Sequence, residues 1–387
     1  MTERLAALLH EEAESLAVPP LPADDVVRRG RGLRTRRRVR LGAAAVAVAA
    51  VAATATLAGT QLGDRDRPAG RDLAAAVPAT DTDWAVAQGS TVHLGTGATA
   101  QVPGQVKAMY YTSAGMLVRI GRSAATDAPD SAYWLVAPDG TTSDFDLHLG
   151  DRKPGTDPTL PYLAYAAPGD DARHWKVVLR DVRTGEVATT VPVEGTFTWG
   201  GWNAPPVALS GDHVYVGVDG TLLDVRWRTG EVRTTTIPTH MPETAGGRDV
   251  VMGEDGKTVT IIDAATGEVL QSLPYDPTDD DPAATVWPRL SPDGSHALLT
   301  PTLMCQADTG SCRFEDPRAT VIDLPGGRRS VVRLGNADYG WTATGRLLQV
   351  DGTSVQSCDP DTGTCEPTPV TLDPGANLKV SGNAYES

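Results

Sequence analysis

Seven glycine turns averaging about 44 residues apart, with short β-branched runs between them and no useful helical periodicity after Trp84, predict an all-β domain. A period of that length built from strand–turn–strand units is what a four-stranded blade produces. Residues 83–387 are therefore expected to form a seven-bladed β-propeller. A third observation concerns what precedes it. Leu41–Gly63 runs for 23 residues without a charge, long enough for one helix to cross a bilayer.

In chain order, residues 1–40 come first and read as a cytoplasmic tail. Leu5, Leu8, Leu9 and Leu16 form one apolar stripe that Thr2 can cap, and Pro19, Pro20 and Pro22 end that helix. Arg28–Arg40 then holds eight arginines and no acid, which keeps this side of the span in the cytoplasm and puts the chain beyond it outside. A tail that fixes topology and a docking peptide for a cytoplasmic regulator, on residues 1–27, are both open readings. Residues 41–63 are expected to be an uncleaved signal anchor, since 40 residues precede the run and it exceeds a signal-peptide core. Thr35–Leu41 also looks like a twin-arginine export signal, which leaves the exterior location unchanged. Residues 64–82, rich in Asp, Arg, Ala, Pro and Thr, read as a linker.

The chain carries a net charge of −15, divided as +3 on residues 1–40 and −18 on the rest. A domain that acidic, with no basic stripe, is expected to bind neither nucleic acid nor anionic lipid through its field. Arginine outnumbers lysine 29 to 5, and alanine is abundant, as in the high-GC genomes of actinobacteria.

Within 83–387, strands are expected at Thr91–Leu94, Trp175–Leu179, His213–Val218 and Thr258–Ile262. Thr184-Gly185-Glu186-Val187, Thr229-Gly230-Glu231-Val232 and Thr266-Gly267-Glu268-Val269 repeat one turn and one strand start. Weaker copies lie at Thr96-Gly97, Asp139-Gly140, Pro325-Gly326 and Thr362-Gly363, giving intervals of 43, 45, 45, 37, 59 and 37 residues. Each such turn is expected to join the two outer strands of a blade. Ser291-Pro-Asp-Gly294 should turn an innermost strand into the next, while Asp255-Gly256 and Asp351-Gly352 serve between later strands. Asn377–Ser381 is expected to supply the missing innermost strand of the first unit and so close the ring.

The four cysteines form two copies of C-x-x-D-T-G-[ST]-C: Cys305 with Cys312, and Cys358 with Cys365. Each pair is expected to staple a hairpin tip, the first inside the 59-residue interval, as disulfides of an oxidising compartment. The competing four-thiolate zinc site would need two hairpin tips to meet.

Ser291–Gly294 and the D-x-x-T-G-E-V turns at Asp181–Val187 and Asp263–Val269 resemble those of the WD40-like, YVTN-like and quinoprotein-like propellers, over about 84–387. No Trp-Asp or Gly-His dipeptide occurs, so these are not true WD40 repeats. The layout also resembles actinobacterial single-pass proteins with an extracytoplasmic propeller, some of which accompany extracytoplasmic-function sigma factors. That superfamily includes binders, scaffolds and enzymes, so the resemblance implies a fold and not an activity.

Motifs that carry chemistry are sparse. There is no H-E-x-x-H, no G-x-S-x-G and no P-loop. The seven histidines (10, 93, 148, 174, 213, 240 and 296) are scattered, and an enzyme of this kind would need several to converge on the central channel. Asp276–Asp281 and Gly169-Asp170-Asp171 are acid clusters expected in connections between units, without an alternating calcium-ligand loop. Trp84, Trp134, Trp175 and Trp227 read as core. Trp199 and Trp202 flank two glycines in an expected inter-blade loop and form the candidate binding face. No catalytic, cofactor or metal residue is assigned. The expected function is a membrane-anchored, non-catalytic binding, scaffold or sensor module for an extracytoplasmic protein, peptide or wall-derived ligand. The alternative is an extracytoplasmic propeller enzyme: a hydrolase, a lyase or a quinone-dependent dehydrogenase.

Overall fold

Period-two strands whose residues are apolar on both faces must be covered on both faces, and the architecture provides this. The computed structural model describes residues 83–124, 130–149, 153–198, 203–237, 244–253, 258–274, 287–300, 303–305, 312–314, 318–334, 339–373 and 378–382. The tail, the 41–63 run and the linker lie outside these residues. All regular structure among the described residues is β, arranged as seven antiparallel sheets and one separate two-stranded hairpin.

The first sheet contains β1 (Ala85–Gln88), β2 (Thr91–Leu94) and β3 (Thr99–Gln101). The second is β4 (Gln105–Thr112), β5 (Gly115–Gly121), β6 (Ala132–Val136) and β7 (Thr142–Phe145). The third is β8 (Gly155–Thr156), β9 (Tyr162–Pro168), β10 (His174–Asp181) and β11 (Val187–Glu194). The fourth is β12 (Val207–Ser210), β13 (His213–Val218), β14 (Thr221–Arg226) and β15 (Glu231–Thr234).

The fifth sheet has three described strands, β16 (Arg248–Met252), β17 (Thr258–Asp263) and β18 (Val269–Pro274), with a bridge from Ala245 to Arg248 beside them. The sixth begins with β19 (Trp287–Leu290) and β20 (His296–Thr300). A separate hairpin follows, β21 (Leu303–Cys305) with β22 (Cys312–Phe314), before β23 (Arg318–Asp323) and β24 (Arg329–Arg333) complete the sixth sheet. The seventh is β25 (Tyr339–Trp341), β26 (Leu347–Asp351), β27 (Ser354–Cys358) and β28 (Cys365–Pro369).

The core is divided among the gaps between neighbouring sheets. Alternate residues of a strand serve opposite gaps. In β13, Val214, Val216 and Val218 pack toward the third sheet, while Tyr215 packs toward the fifth. In β4, Met109 and Tyr111 join the cluster shared with the first sheet, and Ala108 and Tyr110 the cluster shared with the third. Further clusters join the fifth sheet to the sixth, the sixth to the seventh and the seventh to the first. Every neighbouring pair is thus covered, which makes the assembly a seven-bladed propeller.

Closure comes from the C-terminal strand, as expected. β29 (Leu378–Val380) pairs antiparallel with β1, Val86 opposite Val380, and gives the first sheet the order β29-β1-β2-β3. One buried hydrogen-bond chain fastens it. The Ala85 N–H donates to Ser381 Oγ at 2.9 Å, Ser381 Oγ lies 2.5 Å from Tyr111 Oη, and Tyr111 Oη donates to the Trp341 carbonyl at 2.8 Å. Because the phenol proton goes to Trp341, the serine proton must go to the phenol oxygen. The chain thereby ties the first, second and seventh blades together. Burial pushes the Tyr111 phenol far above its ordinary range.

The repeated turn joins the two outer strands in all seven blades, and its glycines have φ between 66° and 85°. In five turns the glycine N–H reaches back four residues, from Gly185, Gly230, Gly267, Gly327 and Gly363 to the carbonyls of Asp181, Arg226, Asp263, Asp323 and Asp359. Gly97 and Gly140 reach back three, to Leu94 and Ala137. The sixth turn corrects the expected register. Gly327, with φ 66°, takes the left-handed position and not Gly326, because the spacing from Asp323 sets the turn. Ser291–Gly294 and Asp351-Gly352 sit where expected, between β19 and β20 and between β26 and β27. Asp255-Gly256 lies outside the described residues.

Candidate functional site

Innermost strands meet around the axis of the ring and line a half-open cavity of about 160 Å³. β4 contributes Met109, Tyr110 and Tyr111, β12 contributes Val207, Ala208 and Leu209, and the β8 segment contributes Lys153 to Thr156. Thr244, Ala245, Leu290, Pro292 and Gly382 complete the wall with Pro158. Among the described residues the lining contains no His, Cys, Asp or Glu, and its one charged side chain is Lys153. Lys153 and Thr156 are half-buried, and neither side chain has a hydrogen-bond or ion-pair partner among the described residues.

The described histidines lie elsewhere. His213 Nδ1 is 2.6 Å from Asp224 Oδ1 and its ring stacks on Tyr215. Asp224 is 1% exposed, and its Oδ2 has no partner. Burial, reinforced by Asp224, Asp263 and Asp249, holds the Tyr215 phenol high. His296 Nδ1 lies 2.8 Å from Ser295 Oγ and its ring stacks on Trp341. Exposed His174 contacts Asp171 at 2.7 Å, a hydrogen bond that raises its pKa. His93, in β2, and His148, beside Asp146, are distant from these in the chain and in the sheets. None of these five histidines enters the cavity lining; His10 and His240 lie outside the described residues. No three His, Cys, Asp or Glu among the described residues are placed to hold a metal ion.

The second blade buries a cationic cluster. The ladder shifts register between Val106 and Ala108, and Lys107, at that bulge, lies 3.0 Å from Asp130. Arg119, 1% exposed, donates its Nε to Ser131 Oγ at 2.9 Å. The Arg122 N–H and guanidinium, with the Lys107 ammonium, hold the Asp130 carboxyl well below the usual carboxylate range. These groups satisfy one another, which is a structural role.

Of the anticipated residues, Cys358 and Cys365 form a disulfide across opposed positions of β27 and β28. Cys305 and Cys312 stand opposite each other in the β21–β22 hairpin, and their side chains lie outside the described residues. Trp199 and Trp202 also lie outside, as do Asp276–Asp281. Gly169–Asp171 is a correction: it joins β9 to β10 inside the third blade and does not connect units. Asp171 caps that hairpin by accepting the Arg173 N–H at 2.8 Å. Trp84, Trp175 and Trp227 are buried as expected, and Trp134 is half-buried against the core. Lys153 and Thr156 were not anticipated. The one available signal was that Lys153 is among only five lysines in the chain.

No protein-family model matches the chain, and no curated protein matches it. Solved structures do. The chain is similar to BamB from Moraxella catarrhalis, at 12% identity and TM-score 0.33 over 72% of this chain and 77% of that one. It is similar to apo AztD from Citrobacter koseri, at 13% identity and TM-score 0.45 over 78% of this chain and 100% of that one. It is also similar to hydrazine synthase from Kuenenia stuttgartiensis, at 15% identity and TM-score 0.40 over 73% and 96%. The blade count rests on the sheet topology of this chain and not on these likenesses.

Proposed function

We propose that this chain is a membrane-anchored, non-catalytic binding module whose propeller faces the outside of the cell and receives an extracytoplasmic protein, peptide or wall-derived ligand at the axis of the ring. In this reading residues 41–63 cross the membrane once, residues 1–40 stay in the cytoplasm, and residues 1–27 offer a site to a cytoplasmic regulator. The arginine block at 28–40 supports the orientation. The Cys358–Cys365 disulfide supports an oxidising compartment for the propeller. The acidic balance of the propeller weighs against nucleic acid as its partner.

One observation carries the non-catalytic reading. Acid–base or nucleophilic chemistry needs paired groups within hydrogen-bond reach of one substrate atom. The described cavity wall offers one cation, a few hydroxyls and apolar side chains. That is the composition of a recognition surface.

A photoreactive residue at Ala245 or Pro292, both on the cavity wall, tests the site in native membranes against the same probe at exposed Val331. Discrete adducts from the cavity positions alone are the expected result. Equal labelling from all three positions, or none from the cavity, removes the axis as a binding site. Repeating the capture with residues 1–27 deleted tests the tail: a cytoplasmic partner that survives the deletion does not use it.

A further inference from the structure

The unpartnered donors on the cavity wall point to a class of ligand. Lys153 and Thr156 lie three residues apart on the innermost segment of the third blade, half-buried, with no partner for either side chain among the described residues. The setting makes this unusual. Beyond residue 40 the chain is −18, and many cations among the described residues have found an acid: Lys107 with Asp130, Arg183 with Asp181, Arg228 with Asp212, Arg328 with Asp323 and Asp361. A half-buried ammonium loses part of its hydration, and an anion or a carbonyl can replace what is lost. The described wall supplies no carboxylate.

Around these donors the wall also includes Tyr110, Tyr111 and Thr244, with Pro154 beside Lys153. Met109, Val207, Leu209 and Leu290 line it too, and they pack against the inter-blade cores as well. The half-open cavity, about 160 Å³, has room for a group of about benzene size. We propose, building on the binding reading above, that the axial cavity takes a benzene-sized apolar group joined to a carboxylate, with the Lys153 ammonium and the Thr156 hydroxyl holding the carboxylate. A phosphate is a poorer match. It carries about 1.5–2 negative charges at neutral pH and would meet a single cation inside a strongly acidic domain.

Two sources present that chemistry: the free C-terminus of a peptide ending in Phe or Leu, and a small free acid such as an N-acylated amino acid. Calorimetric titration of the full-length chain distinguishes them, with three probes: N-acetylphenylalanine, its C-terminal amide, and a hexapeptide ending in Phe with a free carboxylate. The expected result is that one or both carboxylates bind and the amide binds at least about tenfold more weakly, the value of a charge-assisted hydrogen bond. Lys153→Gln should abolish that preference, and Lys153→Arg should restore most of it, with unchanged melting temperatures showing that both variants fold.

Binding by the hexapeptide alone assigns the site to a chain end. Binding by the acetylated amino acid as well extends it to free acids. Equal binding of acid and amide, or a preference that survives Lys153→Gln, overturns the proposal. So does failure of all three probes. If cross-linking at Ala245 persists in that case, the binding reading stands and only the ligand class is wrong; if it is lost too, both fall.

Discussion

The hydrogen-bond chain that closes the ring makes a quantitative prediction. Ser381→Ala deletes one oxygen that accepts the Ala85 N–H at 2.9 Å and donates to Tyr111 Oη at 2.5 Å. Ala85 is fully buried, so its N–H has no access to water as a replacement partner. An orphaned buried donor costs about 1–3 kcal/mol, and about 2 kcal/mol is expected. For a domain of this size the corresponding fall in melting temperature is about 4 °C. Tyr111→Phe should cost a similar amount, because it strands the Trp341 carbonyl and the Ser381 hydroxyl. The two changes remove a shared bond, so the double variant should be less destabilised than the sum, by about 0.5 kcal/mol or more. Urea unfolding of the full chain, followed by tryptophan fluorescence, measures all four corners of the cycle. Additivity within about 0.3 kcal/mol would refute the linked chain, and a Ser381→Ala variant as stable as the parent would show that closure does not depend on it.

Three further outcomes are expected. Gly382→Ala places a Cβ 2.4 Å from the Trp341 carbonyl oxygen, whereas Gly352→Ala, also at positive φ, meets nothing within 4 Å. The first should cost at least about 1 kcal/mol more than the second, and equal urea midpoints would disprove the close approach at the clasp. Replacing both Cys358 and Cys365 with Ala opens a short loop, with a loss of about 2 kcal/mol by loop entropy. Amide exchange should then rise at Asp359–Thr364 and across the Ser330 to Pro360 and Arg328 to Asp361 contacts that rest on this turn; unchanged exchange there counts against the staple. The Thr362 N–H, with that of Asp361, holds the Asp359 carboxyl below its usual range, and the Thr141 hydroxyl does the same for Asp139. A depressed folded pKa contributes stability above the unfolded value, about 3.9, and loses it as pH falls through the folded value. The urea midpoint should therefore drop as pH falls from about 5 through the folded values, and drop less in Asp359→Asn; a parallel fall in the variant rules this carboxyl out.

The blade count was legible because the outer turn repeats a backbone conformation, and that conformation selects residues directly. A left-handed position selects Gly, and in five of the seven turns the carbonyl four residues earlier belongs to an Asp or an Arg. Core packing did not generate the signal: Val187 and Val269 of the T-G-E-V repeats are 56% and 55% exposed. For the same reason the sixth copy was misregistered by one residue. Pro325-Gly326 looks like the turn by its dipeptide, but the invariant is the distance from Asp323. Gly169–Asp171 was misplaced because hairpin turns within a blade use the same Gly and Asp chemistry as connections between blades.

The axial site was not legible, and the geometry of a ring explains why. The innermost strand of the third blade, β8, is only Gly155–Thr156, framed by Pro154 and Pro158. Two residues between prolines carry no period, so nothing local marked this stretch as a strand or Lys153 as facing an axis. Its surroundings come from β4, β12 and segments near residues 244, 290 and 382, more than 200 positions apart in sequence. They become neighbours only because β29 returns to β1 and shuts the ring. Closure and recognition are therefore one problem in this fold. Gly382, whose approach to Trp341 seats the clasp, is itself part of the cavity wall. A substitution there should weaken the closing strand and reshape the cavity together, whereas Lys153→Gln should alter binding and leave the unfolding free energy within about 0.5 kcal/mol of the parent. Comparing those two variants in both assays separates the site from the scaffold that creates it.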